Sequence, residues 1–150
     1  MMPTVLRLYL CPVLGQPVRE VEEAKALTDW GLDGCAHAHR GSKRQVLLMD
    51  SETLKEMDLR PGQVKENVLT QGLNIRALAS GQRLRIGQAL LEVTIPCTPC
   101  NMFEAIRPGL EAQMRGKRGM LCRVLEGGTI RPGDAIELVP PASLPAPVTS

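Results

Sequence analysis

The sequence predicts a mainly β protein, a partly closed β-barrel with a few short helices. Short apolar, β-rich segments recur along the chain, and glycine or proline turns separate them. The chain also echoes itself, because residues 84–90 reappear loosely as residues 130–136, each read as a strand entered through a glycine turn. Helical signals are few and short. Closure into a barrel is the economical way to protect the edges of so many short strands.

The first half of the chain opens with a predicted strand over residues 5–10, where β-rich residues alternate a little. Residues 18–27 fit either a strand or a short helix, and the pattern does not decide between them. Residues 44–49 form a compact apolar run. The Asp50-Ser51 pair that follows offers an N-cap for a helix over about residues 52–57.

A turn and further strands are predicted after this helix. Pro61-Gly62 has proline and glycine where a type II turn requires them, which suits entry into a strand near residues 66–69. The helical pattern over residues 102–115 contains Pro108-Gly109, so two short helices are predicted there. The remaining predicted strands complete a single domain over residues 1–139. Residues 140–150 are predicted to form a flexible proline-rich tail. Those later strands cover residues 90–95, 120–125 and 136–139.

The composition excludes several classes of function. Eighteen basic and sixteen acidic residues give a formal charge of +2, which leaves no basic footprint for duplex nucleic acid. Only Tyr9, Trp30 and Phe103 could stack on bases. No segment approaches the roughly 20 apolar residues of a membrane-spanning helix, and no secretion signal is present, so we expect a cytoplasmic protein. Five cysteines, an odd number, then indicate free thiols or ligands.

The sharpest local feature is Cys97-Thr98-Pro99-Cys100, between an apolar strand and a predicted helix. The start of a helix favours a thiolate, which is a nucleophile and a metal ligand. A thioredoxin-like pair would need a βαβ setting that the pattern does not supply. A structural zinc site would need His37 and His39 as further ligands, at unusual spacing. Buried, inert cysteines are the remaining alternative.

Two glycine-framed basic segments could bind an anion. Residues 34–44 contain His37, His39, Lys43 and Arg44, and arginine and lysine both bind phosphate. Residues 115–119 contain Arg118 in a similar setting. Taken alone, each segment also fits an ordinary solvated loop.

Three other features have a structural alternative. Glu66-Asn67 follows a turn and opens an apolar strand, so one side chain of the pair could face a barrel mouth or only cap the strand. Cys11 precedes a proline at a strand end, and Cys122 lies within a strand-like run. Both cysteines are interpreted as structural.

Together these motifs resemble the MOSC family, the family of the C-terminal domain of molybdenum-cofactor sulfurases. The resemblance depends on the order of several weak motifs between about residues 31 and 139, and the chain is most similar to the small free-standing bacterial members. The motifs, in order, are the glycine-bounded histidine loop, Arg44-Gln45-Val46, Pro61-Gly62, Glu66-Asn67, Ile86-Gly87, Pro99-Cys100, Arg118-Gly119 and residues 128–134.

The resemblance implies the molybdenum cofactor (molybdopterin) as ligand. Cys100 would be the thiolate that ligates molybdenum or carries a persulfide, and His37 a second catalytic residue. Four residues would hold the pterin and its phosphate, namely Lys43, Arg44, Asn67 and Arg118. A sulfur-rich coordination of molybdenum by the pterin dithiolene and one protein sulfur is chemically sensible.

The expected activity is reduction of N-hydroxylated substrates, or sulfur transfer. A separate electron-transfer protein or a cysteine desulfurase would be the partner, and pyridoxal phosphate is not expected on this domain. The alternative is a non-catalytic binding module with a structural zinc or a protein partner. The chain departs from the family at one point, because Gly34-Cys35-Ala36-His37 stands where the family commonly has Gly-Asp-x-His. Cys35 thus either alters the activity or adds a second soft ligand.

Overall fold

The structure is a computed structural model that describes residues 2–98 and 102–140. Within these residues the protein is mainly β, with a few short helices, as the sequence predicts. The strands are β1 Thr4–Leu10, β2 Arg19–Val21, β3 Ala24–Leu27, β4 Gly31–Leu32, β5 Val46–Asp50, β6 Val68–Gln71, β7 Arg83–Ile86, β8 Ala89–Pro96, β9 Met120–Glu126, β10 Gly128–Ile130 and β11 Ile136–Val139. The helices are α1 Ser51–Glu56, α2 Met102–Ile106 and α3 Leu110–Gln113, with a 3₁₀ turn over Ile75–Ala77.

The partly closed barrel is not borne out, since the described strands form two open sheets. The larger has the order β11-β7-β8-β9-β5-β6-β1-β2 and the smaller the order β10-β3-β4. Near the two ends of the larger sheet, residues 3–5 contact residues 133–136 through one isolated bridge, Thr4 to Ala135, and through backbone hydrogen bonds such as that from the Val5 N–H to the Asp134 oxygen. These contacts do not form a regular ladder between two strands, so the sheet remains open at this seam.

Several local predictions are confirmed. Asp50 caps α1, because its Oδ2 accepts a hydrogen bond of 3.0 Å from the Thr53 N–H. The type II turn is present, with Gly62 at φ 84° and the Gln63 N–H donating to the Arg60 oxygen. Residues 102–113 contain two short helices, and Gly109, with φ 84°, is the N-cap of the second. The undecided residues 18–27 supply β2 and β3.

The echoed segments lie side by side. β7 pairs with β11 in antiparallel register, with Ile86 opposite Ile136. The strands that follow the two echoed glycine turns, β8 and β11, lie on either side of β7 in the larger sheet. The proposed single domain over residues 1–139 stays a prediction, and residues 141–150 of the predicted tail lie outside the described residues.

The larger sheet is buried on both faces around β5. Leu48 belongs to a core cluster with β1, β7, β8 and β9 residues, whereas its neighbour Met49 packs with Phe103 and Leu110 in a cluster on the helical side. Alternate strand residues point to opposite faces, so one strand serves both clusters. No helix in the described ranges is long and apolar enough to cross a membrane. The cytoplasmic location stays a prediction.

Candidate functional site

A pocket of about 330 Å³ lies where β5, β6, β8 and β9 meet the helical side of the sheet. Leu47 of β5 and Leu121 of β9, which are direct neighbours in the ladder, form part of its apolar wall. The remaining polar and charged positions come from loops at the ends of strands. The described lining residues are His37, Arg44, Leu47, Lys65, Asn67, Cys97, Thr98, Met102, Arg118 and Leu121.

This pocket brings together five of the residues that the sequence singled out, namely His37, Arg44, Asn67, Cys97 and Arg118. Lys43 is not with them, because it lines a separate pocket beside Thr94 and Arg123. Its neighbour Arg44 points the other way along the loop and reaches the shared pocket. Cys100 lies outside the described residues, so its predicted role as metal ligand and catalytic thiol stays a prediction.

Arg118 is the most unusual side chain in this pocket. It is only 6% exposed, and its Nε and Nη1 have no hydrogen-bond partner within the structure. Its guanidinium lies over the Phe103 ring, 5.2 Å from the centroid. No carboxylate in the described residues forms an ion pair with it. Burying an unpaired charge is costly, so these two N–H groups are suited to an anion that the pocket admits.

Gly119 explains how the following strand holds Arg118 inward. It adopts φ 107°, and a Cβ at this position would collide with the Leu48 carbonyl oxygen. Its own carbonyl accepts a hydrogen bond from the Cys97 N–H at 3.0 Å. Only glycine combines this backbone conformation with this close approach. The backbone that enters β9 therefore packs closely against β5, and this contact fixes the backbone position of Arg118.

The charge around the pocket is positive. Three cations, Arg44, Lys65 and Arg118, line it, and none of its described lining residues is acidic. The fully buried carboxyl of Glu66 interacts electrostatically with Arg118, and its Oε2 accepts a 2.7 Å hydrogen bond from the Gly62 N–H. Burial raises the pKa of this carboxyl, against the opposing effect of that backbone bond and of Arg118. Glu66 forms no ion pair with Arg118 among the described residues, and the cations that line the pocket therefore leave it attractive to anions.

Asn67 connects three parts of the site. Its Oδ1 accepts from the Leu47 N–H at 2.9 Å, and its Nδ2 donates to the Tyr9 oxygen at 3.1 Å and to Cys35 Sγ at 3.5 Å. The amide is therefore engaged by the protein on both sides. Its predicted contact with a cofactor stays a prediction, and its visible role is to tie β1, β5 and the histidine loop together.

Cys35 and His37 form a thiol–imidazole pair behind the pocket wall. Cys35 Sγ lies 3.7 Å from His37 Nδ1, and the thiol is only 6% exposed. Burial alone raises the pKa of Cys35. The hydrogen bond from the His37 side chain, with main-chain donors at Cys11 and His37, outweighs burial and lowers the pKa to about 7. The carboxylate expected at this position by family likeness is thus replaced by a group that can also be an anion.

The pKa of Cys35 leads to a measurable pH dependence. Alkylation by iodoacetamide requires the thiolate, so the rate at Cys35 is expected to rise with pH and to be half-maximal near pH 7. The titratable groups facing this thiol are the His37 imidazole and the Cys11 thiol. His37→Gln should move the midpoint towards the ordinary thiol value of about 8.5.

Peptide mapping after timed alkylation would measure this rate cysteine by cysteine. Cys122 is the internal control, since its complete burial raises its pKa and should leave it unreactive in the folded protein. A Cys35 midpoint that equals that of an unfolded thiol, with or without His37, would contradict the proposed pairing.

Lys65 is the site residue that the sequence analysis missed. It precedes Glu66 with φ 62°, an unusual backbone conformation for a residue with a side chain. It lines both the 330 Å³ pocket and a neighbouring pocket of about 530 Å³ next to Tyr9 and Pro61. The signal in the sequence that could have identified Lys65 is its position shortly after the predicted turn at Pro61-Gly62. The larger pocket has neither cysteine nor histidine among its described lining residues, so the chemistry belongs to the smaller one.

Comparisons with known proteins agree with this fold. The family model described as MOSC domain matches residues 36–137. The crystal structure of the YuaD protein from Bacillus subtilis is similar with a TM-score of 0.74 and 21% identity, covering 92% of this chain and 96% of that chain. At this identity the likeness shows the fold alone.

Two further solved structures are similar over nearly the whole chain. YiiM from Escherichia coli has a TM-score of 0.70 and 27% identity, covering 93% of this chain and 70% of its own. YiiM from Geobacillus stearothermophilus has a TM-score of 0.73 and 21% identity, covering 91% and 75% respectively. Comparison with curated proteins gives no match.

Proposed function

Because this chain belongs to the MOSC domain family, we propose that its cationic pocket binds the molybdenum cofactor, a pterin that carries a phosphate. The family is associated with this cofactor. The observation that carries the proposal is Arg118, a buried guanidinium with two nitrogen atoms that have no partner within the structure. A phosphate supplies paired oxygens in the geometry that an arginine fork requires.

The other pocket residues have separate roles in this proposal. Lys65 and Arg44 add charge around the phosphate, while Leu47 and Leu121 offer apolar surface to the flat pterin. Asn67 holds this wall of the pocket in place through its hydrogen bonds to Leu47, Tyr9 and Cys35. Lys43, which lines another pocket, is given no role here.

Cys100 is proposed as the thiolate that ligates molybdenum or carries a persulfide. It follows Thr98 by two residues and Cys97 by three, and both of these residues line the pocket. When bound, the cofactor would supply a metal centre that can accept an oxygen atom from an N-hydroxylated substrate. His37 would hold or pass a proton at its ring nitrogens. Electrons would come from a separate protein, and a cysteine desulfurase would be the partner if sulfur transfer is the activity.

The structural zinc of the alternative function gains no support from the described residues. No three histidine, cysteine or acidic side chains are placed there to hold a metal ion. His39, one of the predicted ligands, instead bonds the Arg40 oxygen through Nδ1 at 2.9 Å. The remaining alternative, a protein-binding role without catalysis, is tested by the following experiment.

The experiment is elemental analysis with pterin fluorescence on protein produced in a host that makes the cofactor. Molybdenum and pterin in near-equal amounts are expected in the wild-type protein. Cys100→Ser should keep the pterin, because the phosphate contacts remain, but should lose molybdenum or turnover. Protein that contains zinc, or neither metal nor pterin, would overturn the proposal in favour of a binding module, and normal turnover in Cys100→Ser would remove the role of Cys100.

A further inference from the structure

We propose that the pocket of about 530 Å³ next to Tyr9 and Pro61 is a second binding site, whose ligand is a small organic anion with an apolar ring and an anionic group. The proposed function gives this pocket no part, and binding here does not depend on the cofactor. The volume lies within the range of about 300–1,000 Å³ that is typical of small-molecule sites. The site is proposed for binding alone, since its described lining residues include neither cysteine nor histidine.

Two cations give this pocket its charge. Arg60 and Lys65 line it, and none of its described lining residues is acidic. Neither cation forms an ion pair with a carboxylate of the described residues, although seven other basic side chains do. Two positive charges without a neighbouring counter-charge attract an anion and repel a cation. The ligand indicated by the charge is therefore an anion.

The turn that connects α1 to β6 holds both cations in place. The Arg60 N–H donates to Gln63 Oε1 at 3.0 Å, and the Lys65 N–H donates to the Gly62 oxygen at 3.0 Å. The Gly62 N–H in turn donates to the buried carboxyl of Glu66 at 2.7 Å. Because these hydrogen bonds already fix the backbone of the turn, a ligand does not have to order it. The entropic cost of binding is correspondingly smaller.

The pocket also offers apolar surface. Pro17, Val18 and Pro61 line it, and Val18 packs against the core cluster that contains Tyr9. The Tyr9 ring is only 5% exposed, so a ligand packs mainly on the other three side chains. An inorganic anion would leave this surface uncovered. An anionic group attached to a flat ring would cover the surface and pair with the cations at the same time.

Arg60 is the side chain that identifies this site in an experiment. Lys65 lines both this pocket and the 330 Å³ pocket, whereas Arg60 lines the larger pocket alone. Arg118 conversely lines the smaller pocket alone. Substitutions of Arg60 and Arg118 therefore separate the two sites. Arg60 is exposed, so its replacement should leave the fold intact.

The test is isothermal titration calorimetry of the purified full-length protein with three probes, 1-naphthyl phosphate, 1-naphthol and inorganic phosphate. We expect 1-naphthyl phosphate to bind saturably, and the other two to bind at least about tenfold more weakly, because each lacks one of the two kinds of contact. Binding of 1-naphthyl phosphate should weaken as the salt concentration rises. A probe series in which inorganic phosphate binds as tightly as 1-naphthyl phosphate would overturn the proposal.

The variants locate the bound probe. Arg60→Glu should weaken binding of 1-naphthyl phosphate by about tenfold or more, since an attractive charge becomes a repulsive one. Arg115→Glu makes the same change of charge at an exposed arginine outside both pockets, and is expected to bind as the wild-type protein does. Arg118→Gln should also retain this binding. Equal affinities for Arg60→Glu and Arg115→Glu, or loss of binding in Arg118→Gln, would overturn the proposal.

The outcomes also distinguish this site from the proposed function. Protein that contains molybdenum and pterin but never binds 1-naphthyl phosphate would refute the second site alone. Protein that binds 1-naphthyl phosphate through Arg60 but contains neither molybdenum nor pterin would refute the cofactor proposal alone.

Discussion

Arg118→Met is expected to abolish cofactor binding and at the same time to stabilise the ligand-free protein. The guanidinium is buried, and among the described residues its Nε and Nη1 have no hydrogen-bond partner that would compensate for its desolvation in the absence of a ligand. Methionine has a similar length and can pack on Phe103, which the guanidinium now covers. We expect the free energy of unfolding to rise by about 1–3 kcal/mol.

The same substitution should weaken binding of the phosphate-bearing pterin. Loss of one partner of a buried, hydrogen-bonded charge pair costs about 2–5 kcal/mol of binding free energy. Urea unfolding of ligand-free protein and pterin retention after gel filtration measure the two effects. Arg115→Met, an exposed arginine in the same loop, is the matched control and should change the unfolding free energy by no more than about 0.5 kcal/mol. An Arg118→Met protein that is destabilised yet binds normally would show that the arginine is structural.

Asn67→Ala is expected to destabilise the fold by about 3–5 kcal/mol, because it leaves the buried Leu47 N–H and Tyr9 carbonyl without their partner. The same change removes a donor from Cys35 Sγ, so the pKa of that thiol should rise. The alkylation midpoint of Cys35 would then move to higher pH in whatever fraction of the protein remains folded.

Urea unfolding and alkylation kinetics below the unfolding transition would test both statements. Asn74→Ala supplies the control, because Asn74 is exposed and makes no side-chain capping bond to the 3₁₀ turn that follows it. Equal unfolding free energies for the two variants would show that the hydrogen bonds of Asn67 contribute nothing measurable. An unchanged Cys35 midpoint would show that His37 alone sets the state of the thiol.

The elements set by local chemistry could be predicted from the sequence. The cap at Asp50, the turn at Pro61-Gly62 and the break at Pro108-Gly109 each depend on neighbours only a few residues away. The closure of the sheet could not be predicted in the same way. It depends on how the first and last strands meet across the whole chain, and they meet through one isolated bridge at Thr4 and a few backbone hydrogen bonds, without a continuous ladder.

The same distinction holds for the site. The sequence identified His37, Arg44 and Arg118 as candidates by type, and the fold places them around one pocket. It could not tell Lys43 from Lys65, because the direction of a loop side chain is decided by packing at a distance. Nor could it assign a state to Cys35, whose environment includes Asn67, 32 residues further along the chain.

The contact between Arg118 and Phe103 joins the pocket to the helical layer of the protein. Phe103 is fully buried in α2 and packs in the cluster that also holds Leu110 of α3. Helices of five and four residues have little stability of their own and depend on this packing. When an anion neutralises the guanidinium above Phe103, local opening of α2 and α3 should become rarer, and amide hydrogen exchange over residues 103–114 should slow. Exchange in this layer would then report how much of the protein carries a ligand.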